Sequence, residues 1–217
     1  MGLLVGQIVV QGCSQDAVYK PAALELLKSA QSLASEDKLD EALCRLESAA
    51  SLTPDSFEIT YNMGILYRKR QQYMAALQAF EKALATNPSE PADLYYTKAI
   101  THHELADTLN KWAHELAQAT QTEAPAQRQD SLDDFRTDMA KNLTDMALPE
   151  AWGKLDANAL KGEAVKQYQA AIEAYQDFLG SASELDKARD DAHQQVLTLE
   201  ETVKTLSQTD LTQDNPS

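Results

Sequence analysis

Residues 57–90 read FEITYNMGILYRKRQQYMAALQAFEKALATNPSE. Sliding the chain by 34 positions superposes Ala42 on Ala76, Ala49 on Ala83 and Pro54 on Pro88. An internal period of that length marks a stacked helical unit. The residue types explain the stacking. Gly64 with Ala76, and Ala30 with Ala42, are small enough to let two helix backbones approach closely. Tyr67, Tyr73 and Phe80 then fill the volume around that contact, adding large apolar area at modest entropy cost. Pro88 follows Asn87 where one helix must end and the next begin. The unit is an antiparallel helix pair that cannot bury both of its faces alone, so it stacks on its neighbours.

Gly64, Tyr67, Tyr73, Ala76, Phe80, Ala83 and Pro88 sit at the offsets of the tetratricopeptide repeat, which this stretch resembles. A looser copy runs from about Ala23 to Ser56 and keeps Leu26, Ala30, Leu33, Leu39, Ala42, Leu46, Ala49 and Pro54. It has aliphatic residues where the family often has aromatics. The resemblance implies an all-α solenoid over residues 21–118, with repeats at 21–56 and 57–90 and a degenerate third from 91. It also implies a concave groove, lined by the first helices of successive repeats, that holds an extended peptide or a partner helix. Carried over by register, the groove positions are Leu24, Leu27 and Gln31, then Tyr61, Asn62, Ile65 and Arg68, then Tyr95, Tyr96, Ala99 and His102. The apolar members of that row suit a partner's apolar side chains, and Asn62 and Arg68 suit its backbone or carboxylates. The basic residues with which some members clamp a terminal carboxylate are absent from the matching Leu27 and Ala92. On this reading, changing Tyr61 and Tyr95 to Ala weakens partner binding and leaves helicity nearly unchanged. The competing reading has the overlong third helix or the N-terminus fold back and fill the groove.

The third copy starts at Pro91 and then departs. Leu105, Leu109, Trp112 and Leu116 are spaced 4, 3 and 4, which is one helix face, and no turn appears where a second helix should begin. Residues 119–130 lack periodicity and contain Pro125, which predicts a linker. Ser131 is a candidate N-cap for a helix carrying Leu132, Phe135, Met139, Leu143 and Met146 up to Pro149. Further on, Ala164, Tyr168 and Ala171 repeat the spacing of Ala76, Phe80 and Ala83, as the second helix of an interrupted repeat would. After Gly180, a stripe of Leu185, Ala188, Ala192, Val196, Leu199, Val203 and Leu206 predicts a capping helix, with a coiled coil as the alternative. The polar tail from Ser207 is expected to be disordered.

The composition agrees with helices. The 217 residues hold seven Gly and seven Pro, and aromatics make up 6%. Nineteen Lys and Arg stand against 34 Asp and Glu, a formal charge of −15, which repels phosphate backbones and argues against nucleic-acid binding. No apolar run approaches the length of a membrane-spanning helix. The opening stretch is apolar up to Cys13 and polar after it. With Val10 and Gly12 ahead of that cysteine, it resembles the end of a bacterial lipoprotein signal, although no Lys or Arg precedes Lys20. An acylated Cys13 would tether the rest of the chain to a membrane surface. The alternative is an apolar N-terminus with a free thiol.

Chemistry-bearing motifs are missing: no Gly-rich phosphate loop, no G-x-S-x-G elbow, no C-x-x-C pair. His103 and Asp107 are one turn apart, too few ligands for zinc. His102 and His114 share that helix, and Cys44 reads as a semi-buried structural thiol. The expectation is a chain without catalytic residues, cofactor or metal, binding a protein partner as a scaffold or assembly factor tethered at the periplasmic or membrane side. The alternative is a cytoplasmic chaperone that holds a secreted client.

Overall fold

A computed structural model of the chain describes residues 21–86, 91–122, 157–183 and 186–211, and every element among them is an α-helix. In order these are α1 (Pro21–Ser35), α2 (Leu39–Leu52), α3 (Phe57–Lys69), α4 (Tyr73–Ala85), α5 (Ala92–Thr122), α6 (Ala157–Ser181) and α7 (Ala188–Leu211). Each packs chiefly on the helices before and after it in the chain. That nearest-neighbour arrangement is an α-solenoid.

The sequence period reappears in the backbone. α1 and α3 end at Ser35 and Lys69, and α2 and α4 begin at Leu39 and Tyr73. The turns between them place Asp37 and Gln71 at the same left-handed φ of 61°. Lys38 N–H donates to Leu33 O and Gln72 N–H to Tyr67 O, both at 2.9 Å. A left-handed residue after the last helical turn satisfies carbonyls that would otherwise lack donors, and it reverses the chain within three residues. The two helices of each pair are therefore antiparallel.

Packing follows from these positions. On α1, Ala23, Leu27 and Ala30 form one helix face, buried against Ala42, Leu46 and Ala49 of α2 and Ile59 and Leu66 of α3. The next layer joins Ala76, Phe80 and Ala83 of α4 to Leu94 of α5, with Phe57, Tyr61 and Ile65 of α3 half-buried against them. The smallness of Gly64 serves Phe80 rather than Ala76. The three atoms nearest a Cβ built at Gly64 all belong to the Phe80 ring.

The third pair is built differently. α5 has 31 residues against 13 for α3, and it runs through positions 119–122, where a linker was expected. Its partner is α6. Tyr96 meets Tyr175 and Phe178, His102 meets Gln167, and Asp107 meets Tyr168, so the two helices run antiparallel. Ala164, Tyr168 and Ala171 are all buried, as are Ala76, Phe80 and Ala83. The register, however, has slid. Phe80 closes on Tyr61 and Gly64, whose positions one period on are Tyr95 and Lys98. Tyr168 instead closes on His103 and Asp107, about two helical turns further along. In the first two pairs a three-residue turn sets the register. α6 is joined to α5 by a long connection, so side-chain packing sets it instead.

α7 packs on α6, burying Ala192 and Leu199 with Val196, Val203 and Leu206 half-buried around them. It continues to Leu211, past Ser207 where a disordered tail was expected. Cys13 and residues 1–20, Pro88, the linker at 123–130, the helix expected from Ser131 with Leu132, Phe135, Met139, Leu143 and Met146, Leu185 and residues 212–217 lie outside the described residues.

Candidate partner-binding surface

α3 is held between its neighbours by polar bridges. Thr97 Oγ1 on α5 donates to Asp93 O, which leaves it to accept the Tyr61 hydroxyl at 3.1 Å. Two turns on, Arg68 Nη1 lies 3.6 Å from Glu104 Oε1 of α5. Both contacts rise together along the two helices, so α3 and α5 run parallel. On the other side Arg70 Nη2 lies 2.9 Å from Asp40 Oδ1 of α2. The run Arg68-Lys69-Arg70, which also suits a helix C-terminus, thus sends its two arginines to opposite neighbours. Burial pushes the Glu104 carboxyl up, against the pull of the Arg68 guanidinium.

The groove positions expected on α1 divide. Leu24, 39% exposed, and Gln31 face outward. Leu27, 1% exposed, does not line a surface, because it shares the inward face of Ala23 and Ala30. On α3, Asn62, Ile65 and Arg68 are half-buried. Asn62 Nδ2 donates to Glu58 O at 2.7 Å, within its own helix. Arg68 Nη1 is buried without a hydrogen-bond acceptor. Tyr61 stacks on Phe57 with centroids 5.6 Å apart and leans on Phe80 at 5.8 Å, so it is a packing residue.

On α5 the corresponding positions face the chain itself. Tyr95 is half-buried against the core shared by α5, α6 and α7, and Ala99 is fully buried there. The Tyr96 ring rests on Tyr175 and Phe178, and its hydroxyl donates to Asp191 Oδ2 of α7 at 2.6 Å. Burial, followed by that carboxylate, pushes Tyr96 up to about 12. His102 Nδ1 donates to Gln167 Oε1 at 2.7 Å, and Gln167 Nε2 donates on to Glu163 Oε1 at 2.9 Å. Desolvation lowers the His102 pKa. The expected positions left half-buried or exposed and outside the α5–α7 core are therefore Leu24, Gln31, Tyr61, Asn62, Ile65 and Arg68. Tyr61 and Tyr95 both belong to packed clusters, so replacing them with Ala disturbs the core as well as any partner contact. The sequence reading did not single out Thr97 and Glu104, which border this surface. A threonine and a glutamate on a helix face carry no distinctive signal.

The surface offers apolar area and hydrogen-bond donors, without a reactive constellation. Among the described residues no group of three or more His, Cys, Asp or Glu is placed to hold a metal. His103 Nε2 lies 3.7 Å from Asp107 Oδ2, and the other Asp107 oxygen accepts the Tyr168 hydroxyl at 2.7 Å. Cys44 is a free thiol on α2 and is exposed rather than semi-buried, because Leu43 and Leu46 take the inward side of that turn. No helix among the described residues is long and apolar enough to cross a membrane.

A family model described as "Tetratricopeptide repeat" matches residues 58–90. Among solved structures, the chain is similar to YrrB, described as a TPR protein with an unusual peptide-binding site, at 18% identity and a TM-score of 0.36, over 85% of this chain and 86% of that one. It is also similar to residues 41 to the end of MamA from Desulfovibrio magneticus RS-1, at 15% identity and a TM-score of 0.37, over 88% and 98%. No curated protein matches the chain. The matched repeat is the α3–α4 pair, and its 34-residue period extends back through α1 and α2.

Proposed function

We propose that the chain is a non-catalytic scaffold or assembly factor that holds a partner peptide or helix on the face formed by α1 and α3. The observation that carries this reading is the half-buried row Asn62, Ile65 and Arg68 on α3, beside the exposed Leu24 on α1. Ile65 and Leu24 offer apolar contact. The exposed quarter of the Arg68 side chain, whose Nη1 is itself buried toward Glu104, suits a partner's carboxylate or backbone carbonyl beside that apolar area. The partner spans α1 and α3 and stops at α5, where Tyr96 and His102 are already engaged. A lipid tether at Cys13 belongs to the same reading, supported by Val10 and Gly12 ahead of it.

The test is a pull-down from native extract with the full chain, run beside a Leu24→Ser/Asn62→Ala variant. Both side chains lie outside the buried core, so the variant keeps the wild-type urea midpoint. A partner identified by mass spectrometry and lost in the variant supports the reading. The same set of proteins on both baits removes it. Mass spectrometry of the native protein that finds an intact Met1 and an unmodified Cys13 removes the tether alone.

A further inference from the structure

α7 is held less extensively than the helix beneath it. α6 buries Leu160, Ala164, Tyr168, Ala171, Ala174, Tyr175 and Phe178, whereas the described part of α7 fully buries only Ala192 and Leu199. Leu197, 62% exposed, points away from the core. The start of α7 is anchored by Arg189 Nη1, which donates to Leu179 O at 2.7 Å and to Ala182 O at 3.0 Å. It reaches α5 through the exposed hydrogen bond from Tyr96 to Asp191. A helix with few buried apolar contacts opens at lower free energy than the elements under it. Opening α7 releases the Tyr96 hydroxyl, whose ring rests on Tyr175 and Phe178 in the core cluster that α7 shares, with Ile172 and Leu179 packed against it.

We propose that α7 is an exchangeable cover, and that the face it occupies is a docking site for an amphipathic helix of α7's own pattern. The cover defines the chemistry of its replacement. Such a helix brings a first-turn carboxylate to the Tyr96 hydroxyl and an alanine beside it to sit close to the rings. Aliphatic residues follow at the spacing of Val196, Leu199 and Val203, the anchor pattern of a helix laid in a groove. The anchor at Arg189 keeps the displaced helix nearby, so an incoming helix competes with a tethered one. Its apparent affinity is set by the fraction of chains in which α7 is open. This site lies across α5 from the α1–α3 face and does not depend on what binds there.

The experiment titrates a labelled synthetic peptide of residues 188–211 into the full chain and into its Asp191→Asn variant. The peptide keeps its aspartate, so the substitution weakens only the tethered helix. The expected result is saturable one-to-one binding, tightened about fivefold by Asp191→Asn as a charge-assisted hydrogen bond is lost from the cover. Hydrogen exchange is expected to show the α7 amides opening together and faster than those of α6. Ile65→Ala, on the other face, leaves the peptide affinity unchanged. Three results overturn the proposal: no saturable binding to either chain, equal binding of a peptide of shuffled sequence, or α7 amides that exchange only as fast as those of α6.

Discussion

A Cβ on Gly64 would stand 2.6 Å from Cδ1 and 2.9 Å from Cζ of Phe80, so the Phe80 ring fills the space of the side chain that Gly64 lacks. Phe80 is fully buried and cannot swing aside into solvent. In an open helix interior, Gly→Ala gains about 1 kcal/mol of helix propensity. Here that gain is opposed by overpacking, which costs ~1–3 kcal/mol in a filled core. Gly64→Ala is therefore expected to lower stability, measured as a smaller unfolding free energy in urea. Adding Phe80→Leu to make room recovers part of the loss. A Gly64→Ala chain more stable than wild type would show that α3 and α4 do not meet this closely.

How much of this was legible in the sequence depends on what fixes each contact. Ala42, Ala76, Ala49 and Ala83 announced the period because small residues recur wherever two helices must come close. The burial of all four follows from that. The α5–α6 pairing was legible from Ala164, Tyr168 and Ala171 for the same reason. Its register was not, since a long connection leaves the slide to side-chain packing, and nothing in the residue types specifies a two-turn shift. The groove positions transferred to α5 depended on that register. Tyr96, Ala99 and His102 consequently lie against α6 and α7 instead of an open surface. Leu27 was misplaced for a simpler reason: it shares the face of Ala23 and Ala30, and an apolar residue there is core.

Neither left-handed turn residue, Asp37 or Gln71, is a glycine. Gln71 has a φ of 61° and an exposed side chain, so its conformation is imposed by the Gln72 N–H to Tyr67 O bond and its neighbours. A non-glycine residue in that region costs roughly 1 kcal/mol, and glycine removes the cost at the price of a more flexible unfolded chain. Gln71→Gly is expected to raise stability by about 0.5 kcal/mol, read as a higher urea midpoint. Gln71→Val, whose branched Cβ is least tolerated at positive φ, is expected to lower it. The reverse order would mean that this turn is not left-handed.

The slid register of α6 makes its own prediction. Tyr168 is 3% exposed, faces His103 and donates to Asp107. Tyr168→Ala leaves a cavity between α5 and α6 and is expected to cost about 3–5 kcal/mol. Tyr168→Phe keeps the ring and loses one hydrogen bond to a solvent-accessible carboxylate, at about 1 kcal/mol. Asp107→Asn in the Tyr168→Phe background is expected to cost less than in wild type, because the bond they share is already gone and only the His103 contact remains to be lost. A double-mutant cycle in urea reads all three. Additive losses for Asp107→Asn and Tyr168→Phe would place Asp107 away from Tyr168 and undo the register.

His102 supplies a pH dependence whose sign can be worked out. Desolvation between α5 and α6 lowers its folded pKa, with Lys98 acting in the same direction. The hydrogen bond to Gln167 and the carboxylates of Glu81 and Glu173 oppose that shift. Because the folded pKa lies below the unfolded one, the unfolded chain binds the proton more readily. Above the unfolded value of about 6.5 both states are neutral at this residue and stability is flat. As pH falls from there through the folded pKa, the unfolded state gains its proton first and stability declines. Below the folded pKa the loss attributable to His102 is complete. Urea midpoints from pH 7.5 to 5 for wild type and His102→Asn isolate this group, because the carboxylates that also titrate are common to both chains. The expected difference is a wild type that loses stability more steeply on acidification. Parallel curves would mean that His102 is solvated in the folded chain, and that α6 does not cover the third-repeat end of the surface.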